Sequence, residues 1–138
     1  MADRVRKVSY AHVMVPNRAG QGVQVLEALR ASEVNLSAFT AFPARRRNSQ
    51  MDLVTDDLTG LRQVARKHDW RLSKVKKGFL VHGEDRVGAV HRHLAKLAAA
   101  KISVTAADAV TAGQGRYGMI LWVKAKDYAR AARALGAR

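Results

Sequence analysis

"VPNRAGQGVQVLEALRASEVNLSAF", residues 15–39, changes its periodicity twice. It opens at the end of an alternating apolar stretch, "VSYAHVMV" at 8–15, whose β-branched and aromatic residues read as a strand. Pro16, Asn17 and Gly20 are turn formers. Gly22, Val25, Leu26 and Leu29 then recur at helical spacing. From Val34 the pattern alternates again, through "VNLSAFTAF" at 34–42. The stretch therefore reads strand, turn, helix, strand.

The same grammar returns at a shift of 68 residues, without a gap. "PNRAG" at 16–20 falls on "EDRVG" at 84–88, so Arg18 meets Arg86 and Gly20 meets Gly88. Leu26, Leu29, Ala31, Ala38, Met51 and Leu53 meet Leu94, Leu97, Ala99, Ala106, Met119 and Leu121. Scattered identities arise by chance; identities that share one frame with matching periodicity mark an internal repeat.

Each half carries the same elements. "KKGFLVHG" at 76–83 is the counterpart of the first strand. The helix with Val87, Val90, Leu94 and Leu97 follows, then "ISVTAADAV" at 102–110. Turns rich in Arg or Gly lead to third strands, "MDLVT" at 51–55 and "YGMILWV" at 117–123. Second helices carry Leu58, Leu61, Val64 and Ala65, or Ala129, Ala132 and Leu135, with Asp56, Asp57 and Asp127 as N-cap or first-turn acids. "WRLSKV" at 70–75 supplies a fourth strand to the first half, and the second half has none of its own. The fold class expected is α+β: two ferredoxin-like βαββαβ repeats, antiparallel sheets with helices on one face. The boundaries are 1–75 and 76–138, with the start of the chain completing the sheet of the second domain. In the repeat frame "ADRVRKVSY" falls on "WRLSKVKKG".

Composition narrows the function. The chain has 138 residues, 48% hydrophobic, enough for a packed core. It has no cysteine, which excludes disulfides, thiol nucleophiles and Cys-based metal sites. "MADRVRK" lacks the apolar run of a secretion leader, and no stretch reaches the length of a membrane span, so a cytoplasmic protein without membrane contact is expected. The net charge of +14 attracts anions, nucleic acid and acidic metabolites among them.

"VPNRAGQGVQVLEALRASEVNLSAF" and "DRVGAVHRHLAKLAAAKISVTAADAV" each resemble the ACT domain, a small ferredoxin-like regulatory module that binds amino acids. The resemblance covers nearly the whole chain and implies a tandem ACT protein. It further implies domains paired side by side, with an amino acid between the strand-to-helix turn of one domain and strand two of its neighbour. The ligand-binding residues so implied are Asn17, Arg18, Ala19, Gly20 and Gln21 with Asn35, Leu36 and Ser37 in the first half. In the second half they are Asp85, Arg86, Val87 and Gly88 with Ser103, Val104 and Thr105. The chemistry of such a turn also follows independently. A helix start presents unpaired N–H groups to a carboxylate, and glycine lets the backbone approach a ligand closely. An oxygen of Asn17 or Asp85 accepts from a ligand ammonium or caps the helix.

Other constellations are weaker. No nucleophile–base pair, P-loop or paired carboxylate is present, so no enzyme and no cofactor are expected. His91 and His93 are two apart on a helix, which is not the spacing of a helical zinc pair. His12, His68 and His82 have no acid at useful spacing, although His82 stands just before the second turn. "GRYGMILWV" at 115–123 with the basic charge supports an alternative, an RNA- or polyanion-binding module stacking bases on Tyr117 and Trp122. Arg45-Arg46-Arg47 is a basic hairpin or a solvated run, and Lys74, Lys76 and Lys77 read as guards against edge pairing. A third alternative is a protein-interaction subunit with a degenerate pocket. The leading expectation is a regulatory homodimer that binds an amino acid or similar small metabolite.

Overall fold

The computed structural model describes residues 3–138. The chain forms two compact units. One is Ser9–Lys76; the other joins Lys77–Arg138 to the residues up to Val8. Strand β1, Arg4–Pro16, runs through both.

The unit Ser9–Lys76 holds the latter part of β1, α1 (Gln21–Ala31), β2 (Ala38–Pro43), β3 (Asn48–Val54) and α2 (Leu58–Lys67). β3 pairs antiparallel with β1 on one side and β2 on the other. Ala11, Val13, Met51 and Leu53 alternate onto one sheet face and meet Val25, Leu29, Leu61 and Val64 of the helices. Burying a side chain such as Leu29 stabilises the fold by about 1.5–3 kcal/mol.

The other unit holds β4 (Lys76–Glu84), α3 (Ala89–Ala99), β5 (Val104–Gly113), β6 (Arg116–Val123) and α4 (Tyr128–Leu135). Its core sets Val5, Phe79, Val81, Met119 and Leu121 against Leu97, Ala131 and Leu135. β4 lies between β1 and β6, and β5 is the outer strand. The first strand of the chain thus stands in this sheet beside β4. Lys7 N–H donates to the Arg138 carbonyl at 2.9 Å, and Arg138 N–H donates to that of Val5 at 3.1 Å.

The 68-residue frame holds at atomic detail. Ala11 pairs with Leu53 as Phe79 does with Leu121, and Val13 with Met51 as Val81 does with Met119. Ala41 pairs with Met51 as Ala109 does with Met119. Glu33 and Lys101, at matching positions after the first helix of each half, both take positive φ.

Several expected elements differ. "WRLSKV" is not a regular strand: 71–75 runs along β1, where Ser73 N–H donates to the His12 carbonyl at 2.9 Å. The return bond, from His12 N–H, goes to the Ser73 hydroxyl, so the backbone exchange that defines a strand pair is not completed. Strand two begins at Ala38 rather than Val34, because the Asn35 carbonyl accepts from Thr55 Oγ1 and Ser37 N–H donates to the Val54 carbonyl. Asp57 caps α2 through Gly60 N–H at 2.9 Å. Asp127 caps no N–H; its carboxylate pairs with Arg130. Lys76 and Lys77 open β4, ahead of the part that pairs with β6 from Phe79 to Glu84.

Candidate functional site

The duplicated turn has one backbone design. Asn17 N–H donates to the Arg47 carbonyl at 2.7 Å, and Asp85 N–H donates to that of Gly115 at 2.9 Å. Each turn is thereby anchored to the hairpin after strand two of its own half. Gln21 N–H reaches back to the Arg18 carbonyl and Ala89 N–H to that of Arg86. Gly20 and Gly88 sit at φ +88° and +81°, the left-handed region glycine enters without steric cost. A Cβ at either would meet nothing within 4 Å. Because the first helical N–H is used inside the turn, the donors aimed outward are those of the next residues, Gly22 and Val23 or Val90 and His91.

The side chains around the two turns differ. Asn17 Oδ1 accepts from Ser49 Oγ at 3.1 Å, and no side chain caps either helix. Arg18, Ala19, Asp85, Arg86 and Val87 are exposed, Gln21 half-buried. A groove of about 370 Å³ lies beside the second turn, where Asp85, Arg86, Gly88 and His91 face Ala109–Thr111 of β5 and Tyr117. Ser103, Val104 and Thr105 do not line it; they belong to the opposite end of α3. Likewise Asn35 and Ser37 commit backbone groups to Thr55 and Val54, and Leu36 packs on the core. Within each unit, then, turn and strand-two residues are held apart.

In the unit Ser9–Lys76 the cavity lies elsewhere, at about 590 Å³. β1 gives it Val13 and Val15, α1 gives Gln21, Gln24 and Val25, and the connection after α2 gives His68–Arg71. That connection is fixed by a left-handed residue, Asp69 at φ +57°, and by Trp70 N–H donating to the Ala65 carbonyl at 2.8 Å. The rings of His68 and Trp70 stack at 5.7 Å.

Sequence reasoning did not foresee a buried polar cluster in the other unit. Asp3 Oδ2 accepts from His93 Nε2, Tyr117 Oη and an Arg92 guanidinium nitrogen, each at 2.7 Å. The Asp3 and His93 side chains are 3% and 2% exposed. Burial pushes the Asp3 carboxyl up, but the bonds from Tyr117, His93 and Arg92 outweigh it and hold it well below the usual carboxylate range. Burial, then donation to Asp3, pushes the Tyr117 hydroxyl far up. The one sequence signal was the inward helical series Ala89, His93, Leu97, which puts a histidine at a core position.

Two further expectations are corrected. Tyr117 and Trp122 are 4% and 6% exposed, so neither is free to stack a base, and the RNA alternative loses its platform. His12 does have an acid nearby, since the β1–β3 register sets it opposite Asp52, whose carboxylate accepts from Thr40 and Gln50. His82 is exposed and lines neither groove. Arg45–Arg47 form an exposed 3-10 turn with Arg46 and Arg47 at positive φ. Among the described residues no three His, Cys, Asp or Glu side chains gather as a metal site, and no helix is long and apolar enough to cross a membrane.

No family model matches the chain, and no curated protein matches it. Solved structures do share its fold. The protein BT0572 from Bacteroides thetaiotaomicron superimposes with a TM-score of 0.76 at 16% identity, over 97% of this chain and 88% of that one. The regulatory subunit of aspartate kinase from Thermus flavus gives 0.62 at 15%, over 98% and 94%. That of Thermus thermophilus, in a ligand-free form, gives 0.61 at 14%, over 98% and 93%. The architecture is therefore that of two ferredoxin-like repeats.

Proposed function

We propose that this chain is a non-catalytic regulatory protein with tandem ACT-like domains, which binds a free amino acid where such domains meet. The observation that carries this reading is the duplicated turn: two left-handed glycines, open above the Cα, at the starts of α1 and α3. Outward helix-start N–H groups suit a carboxylate. Arg18 and Arg86 stand in the same turns, and Asn35–Ser37 or Ser103–Thr105 would come from a neighbouring domain. The regulatory subunits of aspartate kinase among the structural neighbours favour a regulatory role.

Assembly is part of the proposal. The edge strands leave Phe39, Phe42 and Val110 41%, 44% and 69% exposed, and a homodimer would cover such edges. A ligand held between domains biases their packing, so affinity and assembly are reciprocally coupled. Calorimetric titration with each of the twenty amino acids, paired with sedimentation at the same concentrations, tests this. One amino acid should give heat and shift the association equilibrium. Absence of heat with all twenty refutes amino-acid binding; heat without a shift refutes the interface.

A further inference from the structure

The 68-residue frame relates the buried Asp3 cluster to the open groove of Ser9–Lys76. Asp3 corresponds to Arg71, Arg92 to Gln24, His93 to Val25 and Gly83 to Val15. In the unit around β4, this place is filled by the chain itself: the Asp3 carboxylate lies against Gly83, where any Cβ would overlap it. In Ser9–Lys76 the corresponding place is a cavity of about 590 Å³, lined by Val15, Gln24, Val25 and Arg71. One fold thus holds the same chamber twice, once occupied by an internal carboxylate and once open.

We infer that the open chamber is a binding site for a free α-amino acid with an apolar or aromatic side chain, and that Asp3 is the built-in occupant of its closed counterpart. The open chamber carries complementary groups for both ends of a zwitterion. Arg71 supplies a guanidinium and Gln24 an amide for the carboxylate, and Asp69 supplies a carboxylate for the ammonium. Among the described residues, Asp69 and Arg71 form no ion pair. Val13, Val25 and the Trp70 ring offer an apolar wall to the side chain. The volume falls within the roughly 300–1,000 Å³ of small-molecule sites.

The inference rests on the amino-acid reading above but places the ligand in the chamber between β1, the start of α1 and the connection after α2, so variants at Arg71 and in the turns separate the two. The probes are L-phenylalanine, L-leucine and glycine, titrated calorimetrically into the full chain, followed by the other amino acids. Phenylalanine or leucine should bind more tightly than glycine. Arg71→Met and Gln24→Leu should each weaken binding at least tenfold, while Arg133→Ala, exposed on α4 of the other unit, leaves it within about twofold. The Trp70 indole N–H resonance should shift on binding in the wild type. Binding that survives Arg71→Met and is lost in the turn variants Asn17→Ala and Arg18→Ala overturns this site and leaves amino-acid binding standing. No heat with any amino acid overturns both.

Discussion

At Asp3, three donors converge on one carboxylate oxygen, and truncation would strand the buried His93 and Tyr117 donors, while the Arg92 guanidinium, 37% exposed, returns to water. Asp3→Ala should therefore cost about 2–4 kcal/mol, read from chemical denaturation of the wild type and variant at neutral pH. The pH dependence has a definite sign. The folded-state carboxyl titrates below its unfolded value, near 3.9, so its stabilisation is complete above about pH 5. It is lost as pH falls through the unfolded value toward the folded one. The stability gap between wild type and Asp3→Asn should shrink steadily from pH 5 to pH 3, and a gap constant across that range would sink the assignment. Gly83 belongs to the same unit of packing, because a Cβ there overlaps the Asp3 carboxylate. Gly83→Ala should be costly in the wild type and nearly neutral in Asp3→Ala, a coupling of at least about 1 kcal/mol in a double-mutant cycle. Additive effects would mean that the two positions do not press on one another.

Helix starts differ between the two halves in a way that stability measurements can read. Asp57 accepts from Gly60 N–H, whereas the Asp127 carboxylate pairs with Arg130, whose side chain is 49% exposed. Asp57→Ala should cost about 1 kcal/mol and Asp127→Ala a few tenths, compared by thermal melts; equal costs would contradict the capping assignment. Hydrophobic periodicity made both helices of each half legible, and Leu61 and Leu135 lie buried as their spacing required. Strand boundaries were less legible, because single side chains set them. Thr55 takes the Asn35 carbonyl and delays strand two, and Ser73 takes the His12 N–H and leaves 71–75 irregular. Neither bond has a period, so no pattern in the sequence announces it. The turns at Gly20 and Gly88 were legible because a left-handed backbone before a helix favours glycine. The open groove was not, since His68–Arg71 look like an ordinary helix exit until the fold sets them against Gln24 and Val13.

One unit of the molecule is assembled from both ends of the chain, and this has an energetic consequence. Residues up to Val8 supply Val5, 6% exposed, to the core around Phe79 and Leu121, and Asp3 to the buried cluster. The unit Ser9–Lys76 draws its core from Ala11 to Val64 and needs none of them. In the 68-residue frame "ADRVRKVSY" occupies the place of "WRLSKVKKG". What that frame did not reveal is the carboxylate, because Asp3 replaces an arginine and the two charges have opposite uses. Removing residues 1–8 should cost the unit around β4 about 3–5 kcal/mol, combining the lost Val5 burial with the unpaired buried His93 and Tyr117 donors. Native-state hydrogen exchange reads this residue by residue. Amides of Phe79 and Leu121 should exchange about a hundredfold or more faster in the truncated chain, because a tenfold change corresponds to about 1.4 kcal/mol. Those of Met51 and Leu53 should keep their wild-type rates to within a few-fold. If both sets accelerate together, the two units unfold as one cooperative body, and the separation of their cores has no energetic counterpart. If neither does, the N-terminal segment of β1 contributes nothing to the sheet it joins.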